Sequence, residues 1–148
     1  MTRLIKDANS EEKIWGRTRT LFESPHCSLH SLDIIARRYC SLHYHCHRAN
    51  KFEIVSGYII VAKFMGPIIN LAHLRAGDSF IVESLVPHMF LSVEDSCMLE
   101  EYFPDRGGTI DVNDIVRIVE GGVISPDTDV TDVPYALLQD LSHQVISD

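Results

Sequence analysis

The sequence has no uninterrupted apolar run of about 18 residues, which excludes an ordinary membrane-spanning helix. Its first stretch, MTRLIKDANSEEK, is charged and lacks the apolar segment of a secretory signal. Residue 2 is Thr and the chain ends Ile-Ser-Asp, so no lipidation is expected. Internal repeats, low-complexity runs and a central linker are all missing, which leaves no sign of a repeat architecture or of two joined domains. Cations are scarce: 13 Lys plus Arg stand against 21 Asp plus Glu, a net charge of −8. Such a balance argues against tight binding to a nucleic-acid backbone, while leaving room for a local basic pocket that takes one small anion. The four cysteines, Cys27, Cys40, Cys46 and Cys97, match no zinc-knuckle spacing. Without an export signal they are expected to be free thiols, and the protein is expected to be cytoplasmic, with neither membrane nor nucleic acid as partner.

What is present is one domain's worth of ordinary globular sequence. The 148 residues suit one core, and 45% apolar with 23% charged residues excludes disorder as the main state. Residues 1–13 are polar and predict an arm or a short helix. From Trp15 onward, short apolar stretches alternate with turn residues. Strands are predicted at 18–22, 28–36, 41–47, 52–55, 58–64, 68–74, 79–83, 89–93 and 97–103, and 111–119 reads as strand or short helix. About eight to ten short strands at this spacing favour a sandwich or barrel over βαβ units. Residues 125–134 have loop composition, and the apolar spacing in 135–146 predicts an amphipathic helix capped by Asp132 or Thr131, with Pro134 in its first turn. The expected division is an arm at 1–13, a barrel at 14–122, and a loop and helix at 123–148. The helix could cover its own barrel or a second subunit.

The chemistry concentrates in His43-Tyr44-His45-Cys46-His47. On a strand, residues two apart share a face, so three imidazoles would project together and Cys46 would point away. Joined by His88, just past the strand at 79–83, they would form a site for Zn, Fe, Mn, Ni or Co. The bland alternative is a solvated, histidine-rich edge strand. His26, His30, His73 and His143 have no partner pattern and read as surface or core-edge residues. Tyr44, Phe52, Phe64, Phe80 and Phe90 read as core or pocket wall.

These residues resemble the cupin superfamily, and within it the type II mannose-6-phosphate isomerase-like cupins. The resemblance rests on Trp15-Gly16, on the stretch Ser41 to Arg48, on Val55-Ser56-Gly57, on Gly77-Asp78 with Pro87-His88, and on Asp114-Ile115-Val116-Arg117. It spans about Trp15 to Gly122. It implies an all-β, double-stranded β-helix (cupin or jelly-roll barrel) with a short C-terminal helix, one divalent transition metal, a sugar or sugar-phosphate substrate, and a homodimer. Implied ligands are His45, His47 and His88, with His43 or Asn50 as the fourth. Asn50 stands where the family has its metal-binding Glu. Glu53 is on the opposite strand face and is no ligand. The family's Pro-x-Gly before the second-motif histidine is altered, with Glu83 in place of the Pro. The Tyr-Gly-Arg that follows Asp-Ile-Val-Arg in the family is absent.

The implied activity is aldose–ketose isomerisation, which needs a metal to polarise the substrate oxygens, a base to shuttle the proton, and cations for the phosphate. Glu83, Glu101 or a histidine not used by the metal are the candidate bases. Arg48, Lys63, Arg75 and Arg117 are candidate anion contacts, with Arg117 also a candidate ion-pair partner of Asp114 or Glu120. Two other functional classes fit the same residues: another metallo-cupin enzyme such as an Fe(II) dioxygenase, and a noncatalytic sugar- or small-molecule-binding cupin.

Overall fold

The computed structural model describes residues 9–111 and 113–146, with side chains described as far as Ser142. Thirteen strands and one helix follow in the order β1 (Ser10–Lys13), β2 (Gly16–Glu23), β3 (Ser28–Ile34), β4 (Arg38–Tyr39), β5 (Leu42–Tyr44), β6 (Ala49–Ser56), β7 (Tyr58–Met65), β8 (Ile68–Arg75), β9 (Ser79–Val82), β10 (His88–Ser92), β11 (Ser96–Phe103), β12 (Val116–Val119), β13 (Gly122–Val123) and α1 (Asp132–Ile146). They build two sheets. One runs β1-β2-β3-β11-β6-β9. In the other, β10 pairs with β7 along one edge and with the short β5 and β4 along the other, while β8 lies outside β7, and β12 and β13 lie outside β5 and β4. All the pairings are antiparallel. The architecture is a jelly-roll β-sandwich with one C-terminal helix.

Local sequence explains the strongest elements. Tyr58–Met65 is rich in β-branched and aromatic residues. It returns as β8 through the two-residue loop Gly66-Pro67, where Gly66 takes φ +65°, the geometry of hairpin turns that follow strand twist. Gly57, between β6 and β7, has φ +93°, and a Cβ there would stand 2.2 Å from Ser96 Oγ, so only glycine fits. Alternation in β6 sends Phe52 and Ile54 into the core and Glu53 and Val55 to the surface. By contrast, all five residues of β10 and four successive residues of β7 are buried, which requires cover on both faces. Val133, Leu137, Leu138 and Leu141 of α1 pack against the core cluster, so the helix packs on its own barrel.

Several elements differ from the sequence expectations. Ser10–Lys13 is neither arm nor helix: it pairs as an edge strand with Gly16–Arg19. Residues 1–8 of the expected arm lie outside the described residues. The strand expected at 41–47 ends at Tyr44, because the N–H groups of Cys46 and His47 bond to the Asp114 carboxylate instead of a neighbouring strand. Among the described residues of 111–119, only Val116–Val119 is strand. The helix, by contrast, starts where its capping signals placed it, at Asp132 with Pro134 in the first turn, and carries an acidic residue there. All four cysteines are free.

Candidate metal centre

The second sheet brings the histidines together. His43 lies on β5 and is the direct cross-strand partner of His88 at the start of β10. Opposed residues of an antiparallel pair carry their side chains on one face, within contact distance. His45 follows two residues after His43 and joins the same side. One nitrogen from each of the three rings lies within 4.8 Å of the other two. The ring centres are 4.6 Å apart for His43 and His88, 4.9 Å for His43 and His45, and 5.4 Å for His45 and His88. All three residues are buried.

Each ring is oriented by a backbone carbonyl. His43 Nδ1 donates to Ser41 O at 2.8 Å, His45 Nδ1 to Asp114 O at 2.6 Å, and His88 Nδ1 to Val86 O at 2.9 Å. A carbonyl only accepts, so each Nδ1 carries the proton and each Nε2 keeps a free lone pair. The Nε2 atoms of His45 and His88 are buried without a hydrogen-bond partner among the described residues. A buried polar atom left unpaired is costly, and a metal ion would satisfy both. Nδ1 held by a carbonyl with Nε2 pointing inward is the usual outer-shell arrangement of a metal-ligating histidine.

Electrostatics hold the rings neutral. Burial, followed by the neighbouring His88 and His45, keeps His43 well below the ordinary imidazole range. Burial, followed by the Arg48 charge, lowers His45 to about 3, and burial lowers His88 to about 4, in both cases against the opposing effect of the carbonyl bond. A metal ligand must be the free base, so this cluster is already in its ligating form at neutral pH.

Asp114, distant in sequence, anchors the segment that carries His45. Its carboxylate accepts from Cys46 N and His47 N at 2.8 Å each, while its carbonyl takes the His45 ring. Burial would raise this carboxyl, but the two N–H groups outweigh it and keep it below the usual range. Arg117 makes no ion pair with Asp114 or Glu120 among the described residues. The second anchor is Leu85 N, which donates to His45 O at 2.6 Å. With Glu83 in the Pro place of the altered Pro-x-Gly, Leu85 takes the glycine place, and it has φ +67°.

A cavity of about 540 Å³ opens beside the cluster. His43 and His88 line it, together with Arg48, Glu100, Tyr102 and His30. Glu100 is buried on β11 and accepts from Asn50 Nδ2 at 2.9 Å and from the Tyr102 hydroxyl at 2.7 Å. Burial raises its carboxyl pKa. Asn50 is fully buried, and its Oδ1 has no partner among the described residues.

The remaining sequence candidates fall in different places. His47 is exposed in the bend after β5 and stands outside the cluster, because strand alternation stops at Tyr44. Glu83 is exposed and pairs with Lys63 at 3.2 Å; its own N–H and that lysine lower its pKa, and neither residue lines the cavity. Glu101 lies on the opposite face of β11 from Glu100 and does not line the cavity. Arg48 and Arg117 line it, the former buried and the latter exposed; Arg75 is a surface partner of Glu94. His30 is a cavity residue rather than a surface one, bridging Thr20 Oγ1 and Ser28 Oγ. The His143 side chain lies outside the described residues.

Glu100 and Tyr102 were not singled out in the sequence. In 97–103 the apolar residues occupy both parities, so no alternation told which glutamate faces inward.

No protein-family model and no curated protein matches the sequence. Solved structures do match. An oxalate decarboxylase from Bacillus subtilis superposes with TM-score 0.70 at 13% identity, over 85% of this chain and 42% of that one. The Lactobacillus farciminis oxalate decarboxylase gives 0.63 at 18%, over 77% of this chain and 35% of that one. KdgF from a Halomonas species gives 0.54 at 16%, over 68% of this chain and 83% of that one. The chain thus spans less than half the length of the oxalate decarboxylases it matches. No helix among the described residues is long and apolar enough to cross a membrane. What the chain shares with these structures is the jelly-roll β-sandwich fold, and its His43, His45 and His88 cluster fits one divalent transition metal.

Proposed function

We propose that this protein is a metal-dependent enzyme that moves a proton on a small, oxygen-rich substrate, with aldose–ketose isomerisation of a sugar phosphate as its reaction. The observation that carries the proposal is three neutral, carbonyl-oriented imidazoles beside a cavity that also holds a buried carboxyl. A divalent metal held by His43, His45 and His88 would polarise a substrate carbonyl and the adjacent hydroxyl. The chain's own residues supply the rest. A volume of about 540 Å³ suits a sugar-sized molecule and lies within the usual range for small-molecule sites. Glu100 takes the role for which Glu83 and Glu101 were candidates. Burial brings its carboxyl toward the pH at which it can both take and return a proton. Asn50 and Tyr102 fix its two oxygens. A neighbour named for acting on oxalate, itself a small oxygen-rich acid, supports the same substrate size. The working assembly is a homodimer, which light scattering of the purified protein tests.

The deciding experiment is elemental analysis of protein purified without a histidine tag, followed by assay. The expected result is about one equivalent of metal per chain, with chelator-sensitive interconversion of mannose 6-phosphate and fructose 6-phosphate. Bound iron with substrate-dependent oxygen consumption and no isomerisation would replace this reading with an oxygenase. No metal as purified, and none after reconstitution, would remove the enzyme reading and leave a binding module.

A further inference from the structure

Arg48 is charged, buried and incompletely partnered. It follows the bend after β5 and is only 5% exposed. Its guanidinium lies 3.8 Å from the centre of the Tyr102 ring, and one terminal nitrogen donates to Asp111 O at 3.0 Å. Its Nε is buried with no partner among the described residues. The ion pairs among those residues are Lys13–Glu11, Lys63–Glu83 and Arg75–Glu94, so no carboxylate of the described residues lies within 4.0 Å of Arg48. The carboxylates whose titration it influences are engaged elsewhere. Both oxygens of Asp114 hold backbone N–H groups, and those of Glu100 hold Asn50 and Tyr102. A guanidinium cannot shed its proton to escape this situation. Burying such a charge is sustained only by a partner of opposite sign.

Arg48 also lines the cavity, on whose wall His43 and His88 stand. We propose that Arg48 is the docking point for the substrate's single oxyanion group, a carboxylate or a phosphate, which Arg48 holds while the rest of the molecule reaches the histidines. This deepens the function proposed above and rests on the same cavity being the substrate's seat. The limit of one such group follows from the other charges on the wall. Lys13 is paired with Glu11, Arg117 is exposed, and Glu11, Glu23, Glu100 and Glu120 would oppose a second anion. The fork of the guanidinium favours an oxyanion over a spherical ion such as chloride.

The test uses the metal-free full-length protein and reads its thermal unfolding midpoint. Formate, acetate and inorganic phosphate are titrated to 100 mM against sodium chloride at matched ionic strength. A saturable rise of several degrees beyond chloride is expected for at least one of them. The most effective anion identifies the group: formate or acetate points to a carboxylate, phosphate to a phosphoryl group. Arg48→Gln should abolish the difference. If that variant does not fold, Arg48→Lys keeps the charge without the fork and should weaken the anion's apparent affinity about tenfold. No anion exceeding chloride, or variants responding like the wild type, would overturn the inference. Because no metal is used, a protein that shows this response but does not isomerise sugar phosphates loses the proposed function and keeps the oxyanion site. One that isomerises without the response loses the site alone.

Discussion

Acid should unfold the metal-free protein in a pH range where ordinary carboxylates are still ionised. In the unfolded chain His43, His45 and His88 titrate near 6.5. In the fold, burial lowers His45 to about 3, His88 to about 4, and His43 well below its ordinary value. As the pH falls from 7, the unfolded state therefore binds protons before the folded state does, and stability falls with pH. For His88, going from pH 7 to pH 5 removes about 1.8 kcal/mol, and the three rings together remove about 5.5 kcal/mol as an upper figure. That is a large part of the roughly 5–15 kcal/mol by which a domain is stable. The lowered carboxyls of Glu83, Asp105 and Asp114 act in the same direction only below about pH 4.5, and the raised Glu100 acts oppositely. Between pH 6.5 and 5 the slope thus belongs mainly to histidine. The assay is urea unfolding of the metal-free protein at half-unit steps from pH 7.5 to 5. His88→Gln should reduce the slope by up to about 1.4 kcal/mol per pH unit, the contribution of one proton. A stability that is flat across this range in the wild type would refute the claim that three neutral imidazoles are buried together.

Metal content should separate the histidines. His45→Ala and His88→Ala should each abolish metal retention, while His47→Ala, exposed and outside the cluster, should leave it unchanged as measured by elemental analysis after dialysis. Asp114→Ala should weaken metal affinity about 10- to 100-fold by competition titration with a chelating dye, because its carboxylate holds the segment that carries His45. Full metal affinity in that variant would show that the His45 carbonyl bond alone positions the ring. Leu85→Gly should raise stability by about 0.5–1 kcal/mol in urea unfolding, since relief of a left-handed backbone exceeds glycine's added chain entropy. A destabilised variant would mean that the Leu85 side chain contributes more than its 51% exposure suggests.

Much of the fold was legible because β-strands announce themselves locally. The stretch Tyr58–Met65, its glycine-proline turn and the returning strand are readable from side-chain branching and turn chemistry alone. Short two-residue strands such as Arg38–Tyr39 and Gly122–Val123 were not, because their strand character comes only from the partner they meet. Ser10–Lys13, polar throughout, is a strand because Gly16–Arg19 offers it an edge.

The site divides in the same way. That His43 and His45 share a face follows from a period of two, and that His88 is a candidate partner followed from its place after a strand. Whether the alternation reached His47 was decided by Asp114, whose carboxylate, 67 and 68 residues away in sequence, takes the N–H groups that a longer strand would have used. The choice of Glu100 over Glu101 depended on which face of β11 meets Asn50, and Arg48 acquired its importance only from being enclosed without a carboxylate among the described residues. By itself the sequence determined an all-β architecture and a histidine pair on one face, because backbone geometry sets side-chain direction residue by residue. The tertiary structure alone decided which histidine completes the set, which carboxyl enters the cavity and which cation is buried without a carboxylate among the described residues, because burial and pairing depend on residues that the chain brings together only when both sheets have formed.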